Sequence, residues 1–179
     1  MLERIWSGWR ANYVDGRVRP AGGGAEVSPF TQILESGESD VATHVVHRGE
    51  LVFAIMNIHP YTSGHLLVLP YREVPDLADL TGDETTELWS TVTDAVAAVR
   101  AAYAPDGLNV GLNLGRPAGG SVPSHLHVHV VPRWTGDSNF MSSIANTQTL
   151  PESLAAGASR LRATWPYQLG SYQLGSDPS

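Results

Sequence analysis

Three histidines alternate with aliphatic residues in the stretch Ser124–Pro132, which reads SHLHVHVVP. Strict alternation of this length is typical of a half-buried β-strand, on which successive side chains point to opposite faces. The sequence therefore predicts a strand that presents His125, His127 and His129 on one face. The aliphatic residues are expected on the opposite face, in the core: Leu126, Val128 and Val130.

A row of imidazoles on one strand face suits either nucleophilic catalysis or metal binding. Residues four apart on a strand are about 13 Å apart, whereas the bonds from a zinc ion to its ligands are about 2 Å long, so one ion does not easily collect all three. A His-x-His pair could join a zinc site only if further ligands came from elsewhere. The chain has no cysteine, and its other histidines show no ligand spacing: His44, His47, His59 and His65.

Catalysis by the central imidazole, whose neighbours set its tautomer and handle protons, is therefore the leading interpretation. A His-x-His metal site and a strand with ordinary surface histidines are the alternatives.

Composition limits the class of protein further. A chain of 179 residues is expected to form one domain with a sizeable core. No apolar run approaches the length of a membrane span, and the N-terminus lacks the pattern of a signal peptide. A cytoplasmic location is the default expectation.

The charge of the chain argues against general nucleic-acid binding, which needs a basic surface. The formal net charge is −7, and all eleven basic residues are arginine. Without lysine, the chain has neither a lysine nucleophile nor a P-loop. An acidic protein can still bind phosphate locally through backbone N–H groups and a few arginines.

Apolar periodicity predicts the order of helices and strands. An amphipathic helix over residues 2–14 precedes a flexible, glycine-rich connector over 15–28, and a low-complexity tail occupies 167–179, so a single domain is expected over 1–166. A long helix begins at the capping-box pattern of Thr81 and Glu84 and ends near Tyr103. The other expected elements are a short helical turn over Phe30–Leu34, strands over Val41–His47, Leu51–Ile58, His65–Pro70 and Leu108–Leu114, and a final helix from near Pro151 to near Trp165.

A glycine-rich loop, Gly115–Ser121, runs directly into the histidine segment. It is either a plain connection between two strands or a loop whose amides and Ser121 hydroxyl approach a phosphate without obstruction from a Cβ atom. Its position next to three histidines favours the phosphate-binding interpretation.

The segment His125–Val131 resembles the signature of the histidine triad (HIT) family, in which three histidines alternate with apolar residues and two apolar residues follow. Asn57–Leu66, with its Gly64-His65 pair, resembles the ribose-binding segment of that family. Asn113 and the run Gly119–Ser121 resemble its phosphate loop.

Two further segments, Leu2–Arg10 and Pro132–Phe140, resemble one branch of the family, the bacterial diadenosine polyphosphate phosphorylases and hydrolases. The resemblance implies an α+β fold, with an antiparallel sheet of about five strands, one long helix packed across it, and N- and C-terminal helices. It also implies a homodimer or a higher homo-oligomer.

By this resemblance His127 is the nucleophile, which attacks the α-phosphorus of a nucleotide and forms a nucleotidyl-histidine. The resemblance places His129 near the phosphate and makes His125 a residue that positions the leaving group or its proton. It makes His65 a residue that supports the triad and keeps one imidazole nitrogen a donor and the other a nucleophile. The remaining expected contacts are Asn57 with the ribose hydroxyls, Asn113, Gly119, Gly120 and Ser121 with phosphate oxygens, and Asn139 with the outgoing or incoming phosphate.

The expected substrate is a dinucleoside polyphosphate or another adenosine nucleotide, with water or inorganic phosphate as acceptor. The sequence requires no cofactor, although a divalent cation on the nucleotide phosphates is compatible with it. The alternative functions are a nucleoside phosphoramidase, a nucleotidyltransferase of a biosynthetic pathway, and a nucleotide-binding protein without turnover. Neither nucleic acid nor membrane is expected as a partner.

Three departures from the family pattern bear on these expectations. Ser28-Pro29-Phe30-Thr31 stands where many members have a Cys-x-x-Cys zinc pair, so no structural zinc is expected. Ser121 stands where the eukaryotic hydrolases have glutamine, which favours phosphorolysis. Ala145-Asn146-Thr147-Gln148 lacks the glycine pair and basic residue of the phosphorylase branch, which disfavours binding of free phosphate.

Overall fold

The computed structural model describes residues 27–137 and 152–166. Within these ranges the helices are α1 (Pro29–Glu35), α2 (Asp40–Thr43), α3 (Gly82–Tyr103) and α4 (Leu154–Ala163), and the strands are β1 (Val45–Arg48), β2 (Val52–Met56), β3 (Leu66–Pro70), β4 (Gly107–Leu112) and β5 (Val128–Arg133). Short 3-10 helices cover Leu77–Asp79 and Arg116–Ala118. The predicted N-terminal helix, the tail and Asn139 lie outside the described residues.

The five strands form one antiparallel sheet in the order β1-β2-β3-β5-β4. β3 lies at the centre, and every one of its residues is buried. Its continuous apolar run suits a strand covered on both faces. The sheet and the long helix confirm the fold predicted from the sequence.

Helix α3 begins at a complete capping box. Thr81 Oγ1 accepts a hydrogen bond from Glu84 N, and Glu84 Oε2 accepts one from Thr81 N at 2.8 Å. The buried residues of α3 share one side of the helix, which packs with α4 on one face of the sheet. This larger core includes Leu88, Val92, Ala95 and Val99 of α3, Leu126, Val128 and Val130 near the histidines, and Trp165 after α4.

The opposite face of the sheet carries the histidines. Helix α1 lies over it, and a second core cluster consists of Phe30, Val45, Phe53, Ile55, Leu67 and Leu69. Leu67 and His129 are direct partners in the register of β3 and β5. Because directly opposed residues on neighbouring strands project from the same face, His129 shares the face of Leu67 rather than the face covered by α3.

The first predicted strand is shorter than expected. Asp40–Thr43 forms helix α2, capped by Ser39 Oγ, and His44 turns the chain with a φ of 60°. The guanidinium of Arg162 on α4 fixes this arrangement, because it donates to the main-chain oxygens of both Asp40 and Val45.

Other element boundaries also differ from the prediction. The histidine strand begins at Val128, because Leu126 N donates to Val74 O and His125 N donates to Val122 O instead of joining the sheet. Strand β4 ends at Leu112. Helix α4 begins at Leu154, where Ser153 Oγ accepts from Ala156 N.

Candidate functional site

His127 has one ring nitrogen held by the protein. Its Nδ1 lies 2.7 Å from the carbonyl oxygen of His125. A carbonyl only accepts, so Nδ1 carries the hydrogen and Nε2 keeps a lone pair. Burial lowers the pKa of His127, although the hydrogen bond to the His125 carbonyl acts in the opposite direction. The ring is therefore neutral near pH 7, with a nucleophilic Nε2.

His65 and His129 form a second hydrogen-bonded pair whose tautomers follow from one backbone donor. Tyr61 N donates to His65 Nδ1 at 3.1 Å, which places the hydrogen of His65 on Nε2. That nitrogen lies 2.9 Å from His129 Nδ1 and donates to it. The neutral His129 ring therefore carries its hydrogen on Nε2, the nitrogen not used by His65.

Burial keeps both rings of this pair uncharged. It lowers the pKa of His65 to about 3, with further lowering by the neighbouring imidazoles of His129 and His127. Burial, and to a lesser extent the neighbouring imidazole of His127, lowers the pKa of His129 to about 4. The ring centroids of His127 and His129 are 5.0 Å apart. A nucleophilic nitrogen and a hydrogen-bond donor thus lie on neighbouring rings.

The turn between β2 and β3 carries Asn57 and is fixed at both ends. Asn57 N donates to His65 O, and Asn57 Oδ1 accepts from His59 N, both at 3.0 Å. Asn57 Nδ2 lies 3.4 Å from both ring nitrogens of His65. Thr62 Oγ1, buried in this turn, donates to Pro132 O at the end of β5. The predicted ribose-binding residue is therefore adjacent to the pair of His65 and His129.

His125 has different surroundings from the other histidines. Its side chain has no exposed surface. Nδ1 lies 2.9 Å from Ser28 Oγ, and Nε2 lies 2.8 Å from Pro70 O. With both nitrogens occupied by the protein, the ring presents none to a leaving group. The role expected from the resemblance, at the leaving group or its proton, is thus not the one that these contacts favour.

The glycine-rich loop contains a short 3-10 helix that the sequence did not indicate. Gly115 and Gly119 have φ values of 75° and 100°, in the region that only glycine adopts without strain. A Cβ atom on Gly120 would lie 3.3 Å from Gly115 O, so this loop packs closely on itself. The loop continues to Val122, whose carbonyl accepts from His125 N. Ser121 is exposed, and Asn113 is partly buried.

Sequence reasoning missed three residues that contact the histidines. Phe30 lies with its ring centroid 5.5 Å from those of both His125 and His127. The ring of Tyr61 lies 4.7 Å from that of His65, and Ser28 bonds to His125. The Ser28-Pro29 pair, a favourable N-cap followed by a favourable first helical residue, was a usable signal for the start of α1.

Metal ligands do not cluster in the part of the chain that the structure describes. In residues 27–137 and 152–166, no group of three or more histidine, cysteine, aspartate or glutamate side chains is placed to hold a metal ion. Over the same residues, no helix combines the length and apolar character needed to cross a bilayer.

The HIT domain model matches residues 38–136 of this chain. An AP-4-A phosphorylase of Mycobacterium tuberculosis (strain H37Rv) is 43% identical over 170 residues, which are 93% of this chain and 86% of that protein. A bis(5'-nucleosyl)-tetraphosphatase [asymmetrical] of Schizosaccharomyces pombe is 38% identical over 97 residues, 54% of this chain and 53% of that protein.

Solved structures share the fold. A zinc-bound histidine triad family protein from Mycobacterium smegmatis aligns with a TM-score of 0.64 and 26% identity, over 82% of this chain and 97% of that one. A hypothetical histidine triad nucleotide-binding protein from Sulfolobus tokodaii aligns with a TM-score of 0.65 and 26% identity, over 82% and 99% of the two chains.

Proposed function

Because this chain belongs to the HIT domain family, we propose that it is an enzyme that cleaves diadenosine polyphosphates, with diadenosine tetraphosphate as its main substrate. The proposal includes a covalent nucleotidyl intermediate on His127. The observation that carries it is the bond from His127 Nδ1 to the carbonyl of His125. That bond leaves Nε2 as a neutral nucleophile beside the Nε2–H hydrogen-bond donor of His129. The similarity to an AP-4-A phosphorylase supports the choice of substrate.

In the first step, the lone pair of His127 Nε2 attacks the α-phosphorus, and a nitrogen–phosphorus bond forms. The bond from that phosphorus to the bridging oxygen breaks, and the electron pair leaves on the oxygen of the departing nucleotide. His129 Nε2–H donates a hydrogen bond to this oxygen and stabilises its developing charge, while the neutral ring keeps its hydrogen. From diadenosine tetraphosphate, the products are ATP and an adenylyl-histidine. Two displacements replace one harder displacement.

In the second step, an acceptor oxygen attacks the same phosphorus, the bond to His127 breaks, and its electron pair returns to His127 Nε2. When water is the acceptor, its proton passes to the solvent. Water yields AMP, and inorganic phosphate yields ADP. In this proposal Asn57 binds the ribose, and Asn113, Gly119, Gly120 and Ser121 stabilise the phosphate oxygens through fixed donors. Asn139, which lies outside the described residues, is proposed near the outgoing or incoming phosphate.

Phosphorolysis is the proposed outcome, since Ser121 matches the phosphorylase branch and the similar mycobacterial protein has that name. A product assay on diadenosine tetraphosphate, with and without inorganic phosphate, tests this directly. ADP and ATP only when phosphate is present support phosphorolysis, whereas AMP and ATP in both conditions support hydrolysis. No cleavage in either condition contradicts the proposed function.

We also propose a homodimer or a higher homo-oligomer. Strand β4 is at the edge of the sheet, and Asn109, Val110 and Gly111 at its centre are exposed. An edge of this kind presents unpaired N–H and C=O groups to another strand. A second copy of the chain is the proposed partner. The cytoplasmic location stays a prediction from the sequence.

A further inference from the structure

A line of buried and partly buried hydrogen bonds leads from the start of α1 to the nucleophile. We propose that Ser28 and Glu73 are positioning residues for the nucleophile, and that they act by fixing the peptide of His125, whose carbonyl orients the ring of His127. This inference rests on the proposed function, because it assigns the residues that aim the same nucleophile.

Glu73 holds the first turn of α1 in place. Its Oε2 accepts from Ser28 N at 3.0 Å and from Thr31 Oγ1 at 3.1 Å. Burial raises the pKa of Glu73, but the bonds from Ser28, Ser124 and Thr31 outweigh that effect and leave the pKa below its usual value. The carboxylate is therefore a charged acceptor, and bonds to such acceptors are stronger than those between neutral groups.

The direction of the bond between Ser28 and His125 follows from the other ring nitrogen. His125 Nε2 lies 2.8 Å from Pro70 O, so it carries the hydrogen and donates to that carbonyl. Nδ1 is then an acceptor, and the Ser28 hydroxyl, 2.9 Å away, donates to it. Ser28 Oγ also accepts from Phe30 N at 3.2 Å. The hydroxyl is therefore both the cap of α1 and the partner of His125.

His125 is consequently held at both ring nitrogens, in a place with no exposed surface. A rotation of its peptide would strain these two bonds, and an unsatisfied buried group is costly. Since the carbonyl of the same residue accepts from His127 Nδ1 at 2.7 Å, the direction of the carbonyl sets the direction of Nε2. Phe30, one residue into α1, packs against both rings and limits their movement.

The test combines ring nitrogen NMR with single-turnover kinetics on the full chain. Ser28→Ala removes the hydroxyl that joins α1 to His125. Ser36→Ala is the matched control, because Ser36 is an exposed serine at the other end of α1, whose hydroxyl donates to Ile33 O. In Ser28→Ala we expect the ¹⁵N signals of the His127 ring to shift or broaden, while those of His65 and His129 keep their positions.

We expect adenylylation of His127 by diadenosine tetraphosphate to slow by about tenfold in Ser28→Ala, with the substrate Kd nearly unchanged. Ser36→Ala should match the wild type in both measurements. A folded Ser28→Ala variant with wild-type ring signals and a wild-type rate overturns the proposal, even if its thermal stability is reduced, because only a structural role would then remain.

Glu73→Gln is the second variant, in case Ser28→Ala does not fold. It keeps the shape of the side chain and removes the charge, so a smaller change of the same kind is expected; unchanged His127 signals in this variant overturn the proposal. If the wild-type protein does not cleave diadenosine tetraphosphate, the proposed function fails. The ring signals, which need no substrate, still decide the positioning role.

Discussion

His65 Nε2 lies 2.9 Å from His129 Nδ1, although the two residues are 64 positions apart in the chain. The bond joins the turn after β2 to strand β5, and Tyr61 N fixes its direction. The outer nitrogen of His129 therefore carries a hydrogen, while the outer nitrogen of His127 carries a lone pair. The two neighbouring imidazoles have opposite polarity, and the first two predictions depend on this difference.

Replacement of His127 should abolish the covalent step without abolishing binding. His127→Ala is expected to bind diadenosine tetraphosphate with a Kd close to that of the wild type, and to form no adduct, because no nucleophilic nitrogen remains. Mass spectrometry of acid-quenched samples detects the adduct, and calorimetry gives the Kd. Full turnover by His127→Ala would refute the assigned role.

Replacement of His129 should slow the departure of the first product. His129→Ala removes the N–H group that hydrogen-bonds to the leaving oxygen, and the loss of one such donor lowers a rate by about 10²-fold. Single-turnover adenylylation of His127 by diadenosine tetraphosphate measures this rate in the wild type and the variant. An unchanged rate in His129→Ala would argue against a hydrogen bond from His129 to the leaving oxygen.

Acidification should destabilise the fold before the carboxylates titrate. The pKa values of His65 and His129 are about 3 and about 4, whereas a histidine in an unfolded chain titrates near 6.5. The unfolded state therefore binds protons first, and the free energy of unfolding should fall as the pH decreases from about 7 to about 5. Glu84, with a pKa of about 2, contributes only at lower pH.

Urea denaturation across this pH range measures the effect. A His65→Gln variant should show a smaller dependence on pH, because one of the depressed groups is gone. A free energy of unfolding that is constant between about pH 7 and about pH 5 would contradict the neutral state assigned to these rings.

Gly64 should not tolerate a side chain. A Cβ atom there would lie 2.6 Å from Cε2 of Tyr103, and φ is 79°. Gly37 is a matched control, because its φ is 74° and no atom lies within 4 Å of its Cβ position. Gly37→Ala should cost about 1 kcal/mol of stability from the backbone alone. Gly64→Ala should cost more and should lower kcat/KM, because it moves the turn that carries Asn57 and His65.

The proposed contact between two copies of the chain through β4 can be tested by introducing one charge. Val110 on β4 is 43% exposed, and Val41 on α2 is 67% exposed. If β4 joins two copies of the chain, Val110→Lys should shift sedimentation towards the monomer, since a lysine on an edge opposes pairing. Val41→Lys, with the same change of charge, should leave the oligomer intact. A wild-type protein that sediments as a monomer would contradict the proposed homo-oligomer.

Local patterns predicted the elements that depend on local chemistry. The pair of Thr81 and Glu84 predicted the start of α3, and the apolar run of β3 predicted a buried strand. Helix α2 was not predicted, because four residues are too few to show the apolar periodicity of a helix. The β-branched residues Val41, Val45 and Val46 instead favoured a strand over this segment. The long-range bond of Arg162 to the chain at Asp40 and Val45 left no local signal.

The alternation around the histidines predicted a shared face but not the separation of their roles. Residues 125–127 precede β5, and the partner of His125, Ser28, is 97 positions earlier in the chain. Periodicity cannot reveal such a partner, because it reports only the direction of neighbouring side chains. Hydrogen-bond partners distinguish the buried His125 from the nucleophile, and only the folded chain supplies them.

The contacts of Arg162 have a consequence for biosynthesis. Its guanidinium satisfies main-chain oxygens of residues that precede it by 117 and 122 positions. All five strands of the sheet precede this arginine in the chain and are synthesised before it. The carbonyls of Asp40 and Val45 lack this partner until α4 is made, so β1 should become protected from proteases only after α4 has been synthesised.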